Sequence, residues 1–181
     1  VGEHGWRAED LPEVQNPKAA IPLSEGIAEL VVSVLFSILG ILYCTNRLPL
    51  MMVFAQGDMV FYNILSQRFL TLLIPVILIS LALAIVQAIA KINDRRWSVF
   101  VCSSVVVKKI VDMSMTLFLL NQPDIISTEF AGFLSSVGLS DIFPFANGGQ
   151  FFLILISVLV VIGTISDSIK AIKNTVQAYV K

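Results

Sequence analysis

The sequence is poor in charged residues, in histidine and in cysteine. Charged residues make up 14% of its 181 residues, against roughly 25% in soluble domains. The single histidine, His4, leaves no material for a His-based catalytic triad or zinc site. The two cysteines, Cys44 and Cys102, both lie in apolar stretches and do not suggest a disulfide framework or a metal cluster. We therefore expect no metal, no cofactor and, at a net charge of -1, no nucleic-acid partner.

Hydrophobic residues are abundant instead, and they are concentrated in long blocks. They make up 56% of the chain, and blocks of this length are typical of membrane-spanning helices. The clearest block, 69–90, contains no charged residue. As a helix it covers about 33 Å, enough for a hydrocarbon core of about 30 Å. We predict an all-α fold, a four-helix bundle integral to the lipid bilayer, with spans at 27–45, 69–90, 97–120 and 151–165.

The distribution of Lys and Arg predicts the orientation of these spans, because loops rich in these residues stay in the cytoplasm. The connector KINDRRW between the second and third spans holds three basic residues, whereas connector 121–150 holds none. The first connector is therefore predicted inside and the second outside. Both termini are then cytoplasmic, and the predicted location is the cell membrane, crossed several times.

The segments on either side of the spans are predicted to be cytoplasmic. Residues 1–26 are polar and acidic, contain three prolines and are typical of a linker. The chain begins with Val1, and its first residues lack the basic and apolar regions of a signal peptide. We expect a cytoplasmic part upstream of this linker, and a cytoplasmic helical extension at 166–181.

Apolar residues at the C-terminus recur at coiled-coil spacing. The steps between them are four, three, four and three, the pattern of a helix that packs against a partner helix. The residues of this predicted seam are Ile165, Ile169, Ile172, Val176 and Tyr179. The alternative is a helix that lies on the inner membrane surface, with Lys170, Lys173 and Lys181 near acidic lipid head groups.

The two outer connectors have features of local structure. Residues 46–68 are too polar in their middle for another span. Their Met and aromatic content suits a helix in the outer interface or a loop packed over the bundle. In the other connector, Ser127 is predicted to cap a short helix, with Glu129 in its first turn and Gly138 beyond its end.

The third predicted span has three charged residues near its middle: Lys108, Lys109 and Asp112. Each costs about 2.5 to 3.5 kcal/mol near the centre of a membrane helix, so the three together cost about 8 to 10 kcal/mol. The twelve Leu, Ile, Phe and Val residues of this segment contribute only about 4 to 7 kcal/mol towards insertion. We therefore expect neighbouring helices to hold this one, with its polar atoms turned inward.

Spacing predicts that the polar residues share one face of that helix. The stripe consists of Ser104, Lys108, Asp112 and Thr116, each four residues after the last, with Lys109 also in reach of Asp112. Asp112 neutralises only one lysine, so the other needs a carboxylate elsewhere, a route to the surface, deprotonation or contact with water. Glu29 is the only acidic residue in another predicted span and is the candidate partner charge.

Four phrases carry a resemblance to a known family: EDLPEVQNPK and IPLSEGIAEL before the first span, RRW before the third, and LFLLNQPDIISTEF after it. They resemble the membrane portion of bacterial proteins whose cytoplasmic part is a HAAS helical signalling domain, often paired with PadR-type transcriptional regulators. The resemblance implies a multi-span protein of the bacterial cell membrane that passes a signal to a cytoplasmic regulator and is not an enzyme.

Three functions remain open from the sequence. The leading prediction is a non-enzymatic signalling or regulatory module, in which the stripe of the third span holds or switches the bundle. The second is a small transporter or channel subunit in which Lys108 and Asp112 line a path. The third is a structural subunit of a membrane complex, which binds a partner membrane protein or further copies of itself. Ser104 and Lys108 have the composition of a Ser-Lys dyad, but nothing around them supplies a recognisable oxyanion hole.

Overall fold

A computed structural model describes residues 20–48, 51–55, 58–136, 138 and 150–179. Most of the predicted linker 1–26, and Lys181, lie outside these residues. Five helices and one two-stranded hairpin make up the described chain. In order they are α1 (Leu23–Cys44), β1 (Met51–Ala55), β2 (Asp58–Tyr62), α2 (Gln67–Asp94), α3 (Val99–Leu120), α4 (Thr128–Ser136) and α5 (Gln150–Tyr179).

Three of these helices are long and apolar enough to cross a membrane. They are α1, α2 and the described part of α5, Leu153–Tyr179. The predicted helical membrane protein is confirmed at this level. Although α3 is as long as α1, it does not meet the same criterion, in keeping with the unfavourable insertion energy expected from its three charges. Pro75 lies inside α2 without ending it, as membrane helices tolerate.

The four long helices form a row in chain order. Extensive contacts join α1 to α2, α2 to α3, and α3 to α5. Among the described residues, no comparable contact joins α1 to α5, so closure into the predicted four-helix bundle is not confirmed. A soluble bundle has to close to bury its apolar faces, whereas helices in a membrane can leave such faces to lipid.

Two apolar clusters lie at opposite ends of the long helices. At one end Ile21, Ala90, Val101, Val105 and Ala171 pack together, with Trp97 and Cys102 against them. We call this the basic end, because Lys91 in the last turn of α2 and Arg95 and Arg96 in the α2–α3 turn lie beside it. At the other end, which we call the hairpin end, Tyr43, Cys44 and Leu70 are buried together. The long helices therefore alternate in direction along the row.

Two glycines let α1 approach α2 closely. A Cβ atom added at Gly26 would lie 2.9 Å from Ile92 Cγ1, and one added at Gly40 would lie 2.9 Å from Ile77 Cδ1. Small residues at such contacts are the usual means by which membrane helices pack, because they bring the two backbones together. Gly26 and Gly40 therefore position α1 on α2 near the start and near the end of α1.

The connector between α1 and α2 differs from the prediction, and the connector after α3 agrees with it. Where the sequence suggested an interfacial helix or a loop at 46–68, β1 and β2 pair as an antiparallel ribbon, with Met51 opposite Tyr62. The short helix after α3 is confirmed. Ser127 Oγ accepts a hydrogen bond from the Phe130 amide at 3.1 Å, and Gly138 follows the helix with a φ of +72°, a conformation in which glycine is favoured.

Candidate functional site

The two lysines of α3 each contact a different carboxylate. Lys108 Nζ donates to Asp112 Oδ2, one turn further along α3. Lys109 Nζ donates to Asp167 Oδ2, on α5. The positive charges on α3 are therefore both neutralised, one within the helix and one by the next helix in the row. We call the second contact the α3–α5 ion pair.

The candidate partner Glu29 does not serve either of these lysines. It lies on α1 and contacts Gln87 and Lys91 of α2 instead. The reason is the order of the helices, since α1 packs against α2 and not extensively against α3. The carboxylate that neutralises the second lysine of α3 is Asp167. It lies just beyond the predicted fourth span and well inside the continuous helix α5.

The hydroxyls of the predicted stripe bond their own helix. Ser104 Oγ donates to the Val101 carbonyl at 2.8 Å, and Thr116 Oγ1 donates to the Asp112 carbonyl at 2.7 Å. The Ser104 hydroxyl is therefore bonded to the backbone, and the Lys108 ammonium to a carboxylate. Asp112 Oδ1 is buried without a hydrogen-bond partner, so this carboxylate keeps one free acceptor in the apolar part of the row.

The two charged contacts of α3 differ in exposure. The Lys108 and Asp112 side chains are 17% and 28% exposed, whereas those of Lys109 and Asp167 are 38% and 51% exposed. The contact within α3 is therefore largely enclosed by the row. The α3–α5 ion pair lies at its surface and is the more accessible of the two.

A second charged cluster lies at the basic end, between α1 and α2. Lys91 Nζ is 2.7 Å from Glu29 Oε2 and 3.1 Å from Glu25 Oε1, and the Lys91 side chain is only 9% exposed. The Gln87 amide donates to the other Glu29 oxygen. The Lys91 ammonium also lies 6.0 Å from the centre of the Trp97 ring, within the range of a cation–π contact. We call these five side chains the Lys91 cluster.

Lys91 belongs to the connector KINDRRW in the sequence prediction, so this cluster is not among the predicted site residues. A signal for it does exist in the sequence. Glu25 and Glu29 stand four apart, as do Gln87 and Lys91, so each helix presents two polar groups on one face. Antiparallel neighbours with such matched pairs near the same membrane surface are expected to bring them together.

The chain that enters α1 is joined to the α2–α3 turn at the same place. The Ile21 amide donates to the Arg95 carbonyl at 2.9 Å, and Ala20 and Arg96 form an isolated antiparallel bridge. Arg95 ends α2 in the left-handed conformation, with a φ of 49°. The start of α1 is therefore held by backbone hydrogen bonds as well as by the Lys91 cluster.

The predicted C-terminal seam lies on the surface of the row. Its five residues, Ile165, Ile169, Ile172, Val176 and Tyr179, are all exposed, while Ala171 and Thr175 on the other side of α5 are buried. The α5 helix therefore packs against α3 through small residues and leaves its larger apolar residues uncovered.

Within the described residues, no group of three or more His, Cys, Asp or Glu side chains is arranged to hold a metal ion. Among the described residues, ion pairs join α1 to α2 and α3 to α5, and one more lies within α3. Comparison of the chain with protein-family models, curated proteins and solved structures finds no match.

Proposed function

We propose that this chain is a non-enzymatic signalling module of the bacterial cell membrane, which relays a change in its helix row to a cytoplasmic regulator. The basic end faces the cytoplasm in this proposal, as the distribution of Lys and Arg predicts. The single observation on which it rests most is the α3–α5 ion pair. This pair joins two helices of the row, and both of its side chains are more than a third exposed.

The physical property that suits the α3–α5 ion pair to switching is the cost of separating its charges in lipid. An unpaired lysine or aspartate costs about 2.5 to 3.5 kcal/mol at the middle of a membrane helix and less towards its ends, and Asp167 lies one turn before Ala171 at the basic end. The pair is therefore either closed, or α5 moves until Lys109 and Asp167 reach a polar region. Two states that differ by a few kcal/mol respond to a stimulus that favours one of them.

The packing at the basic end couples a movement of α5 to the start of α1, on the cytoplasmic side in this proposal. Ala171 lies one helical turn after Asp167 and is buried in the same cluster as Val105, Ala90 and Ile21. A displacement of α5 therefore alters the surroundings of Ile21, where the chain enters α1. The hydrogen bond from Ile21 to Arg95 and the Lys91 cluster make α1 and α2 move together at this point.

The test is to break and then restore the α3–α5 ion pair in cells that express the chain from its own locus. We expect Asp167→Asn to change the set of transcripts under the regulator's control. The charge exchange Lys109→Asp with Asp167→Lys should return it towards that of the wild type. Lys173→Gln, which removes an exposed charge from the same helix, is the matched control. Unchanged transcripts in a correctly inserted Asp167→Asn variant would overturn the proposal.

Conduction of protons or cations is the second candidate, and one observation favours it. Asp112 Oδ1 is a buried acceptor without a donor, and such groups inside membrane proteins are found on ion pathways. Vesicles that contain the purified chain and a pH-sensitive dye provide the test. A proton flux that is lost in Asp112→Asn supports conduction, and the absence of flux under an imposed gradient excludes it.

A further inference from the structure

The seam on α5 is longer than its C-terminal part. Apolar residues continue at steps of three and four residues from Leu155 to the end of the helix, and each of them is between 44% and 60% exposed. These eight residues, which we call the α5 seam, are Leu155, Val158, Ile162, Ile165, Ile169, Ile172, Val176 and Tyr179. An alternation of three and four over this length is the repeat of a coiled coil, in which they occupy the a and d positions.

The rest of α5 is already engaged in the row. Asp167 contacts Lys109, Ala171 packs in the same cluster as Val101 and Val105 of α3, and Thr175, one turn further on, is buried. Because α5 is the last helix of the row, the α5 seam faces away from α3. No residue in the described parts of the chain covers it.

Lipid does not suit the whole length of the α5 seam. Ala171 packs in the same cluster as Ala90, and Ala90 is followed directly by Lys91 and the basic turn, so the hydrocarbon region ends near this level. The helix continues from Ala171 to Tyr179, which is about 12 Å further. With the membrane edge at this level, Ile172, Val176 and Tyr179 lie beyond the hydrocarbon and keep the same spacing as the residues within it.

A helix lying on the membrane surface does not account for these residues either. Such a helix would have to turn away from α3 near Ser166, where the predicted span ends. Instead, α5 is one uninterrupted helix from Gln150 to Tyr179, and Ala171 and Thr175 keep it against the row beyond that point. The cover that suits both halves of the α5 seam is another straight helix that also leaves the membrane.

We propose that the α5 helix of a second copy of this chain occupies the α5 seam, parallel to the first and in the same register. Copies inserted in one membrane have the same orientation, so the same residue of each α5 lies at the same depth. A parallel pair with identical registers is the arrangement in which each a and d residue meets its counterpart.

The charges beside the α5 seam are compatible with this arrangement. Lys173 is at an e position, and in a parallel pair it faces the g position of the other helix, which is Ser168. Lys170 and Asp167 are at the b and f positions, away from the contact. No pair of like charges is therefore brought together.

The experiment is a cysteine scan of the full chain in membranes. Cys44→Ala and Cys102→Ala remove the native thiols, and single cysteines are then placed one at a time at each position from 168 to 179. The variants are reconstituted at a low protein-to-lipid ratio in phosphatidylcholine vesicles and oxidised. Two differently tagged versions of each variant are mixed before reconstitution, so that a disulfide between two copies is recognised by both tags.

We expect disulfide-linked pairs to be most abundant for Ile169→Cys, Ile172→Cys, Val176→Cys and Tyr179→Cys, and at least fivefold less abundant for Lys170→Cys and Asn174→Cys. Equal yields at all positions would mean random collision and would overturn the proposal, as would the absence of doubly tagged products. Native mass spectrometry of the unmodified chain is the second measurement, and a strictly monomeric chain also overturns it. These readouts do not involve the regulator, so they stand or fall separately from the relay.

Discussion

Lys109 and Asp167 lie 58 positions apart in the sequence and form the ion pair that joins α3 to α5. Lys109 belongs to the helix that is too polar to meet the criterion for a membrane span, and Asp167 to one that does meet it. The pair therefore accounts for part of the expected stability of α3 in a membrane. It also makes the position of α5 depend on α3, and this dependence is the basis of the proposed relay.

The loss of stability on breaking the α3–α5 ion pair depends on whether water or lipid surrounds it. If the pair is in contact with water, Asp167→Asn should destabilise the fold by less than about 1 kcal/mol, as for exposed pairs. If it lies in hydrocarbon, the loss should approach about 3 kcal/mol, because Lys109 is left unpaired in lipid. The proposed relay requires the pair to lie at least partly in hydrocarbon, so we expect about 2 kcal/mol, and a loss below about 1 kcal/mol would contradict the relay. Unfolding in mixed detergent and lipid micelles measures the difference, and Lys173→Gln should show none.

Removal of Lys91 should destabilise the fold more than Asp167→Asn does. The Lys91 side chain is nearly buried and neutralises Glu29 and Glu25 together. Loss of one partner of a buried ion pair costs about 3 to 5 kcal/mol. Because Glu25 is half exposed, we expect about 3 kcal/mol for Lys91→Met. The same unfolding experiment measures it, with Arg96→Gln at an exposed neighbouring position as the control. A loss below that of Asp167→Asn would contradict the assigned burial.

The long helices are the part of the fold that the sequence predicts well. The uncharged block 69–90 lies within α2, and the predicted third span 97–120 contains α3. Long apolar blocks are reliable because only a helix satisfies the backbone of a spanning segment by itself. The boundaries are less clear, since the end of the apolar block at Ile165 does not end α5, which continues to Tyr179.

The hairpin was not predictable from hydropathy, because Met and aromatic residues suit a strand and an interfacial helix equally well. A local signal is present, since the two runs Met51–Ala55 and Asp58–Tyr62 are separated by two residues, a spacing typical of hairpins. The ion pairs depend on the order of the helices, which no single segment reveals. Spacing alone shows that Lys108 reaches Asp112, but not that Lys109 meets Asp167.

The close contact of α1 with α2 at Gly40 predicts a strong effect of side-chain size. Gly40→Ala should be tolerated, because the nearest atom is the end of the flexible Ile77 side chain. Gly40→Val should separate the helices and destabilise the fold by about 1 to 3 kcal/mol, the usual cost of overpacking. Gly163 lies in α5 with no atom within 4 Å of an added Cβ, so Gly163→Val is the matched control. Equal losses for the two valine variants would mean that α1 and α2 are not in close contact at Gly40.

The two cysteines provide a test of the antiparallel row itself. Cys44 is buried with Leu70 at the hairpin end, and Cys102 packs on the cluster of Ala90 at the basic end. The stretch of α2 from Leu70 to Ala90 is about 30 Å long, whereas a disulfide requires Cα atoms within about 7 Å. Oxidation of the native chain in membranes should therefore give no disulfide between Cys44 and Cys102 of one chain. Mass spectrometry of peptides from the monomeric fraction detects such a bond, and its presence would mean that α1 and α3 do not run between the two ends as described.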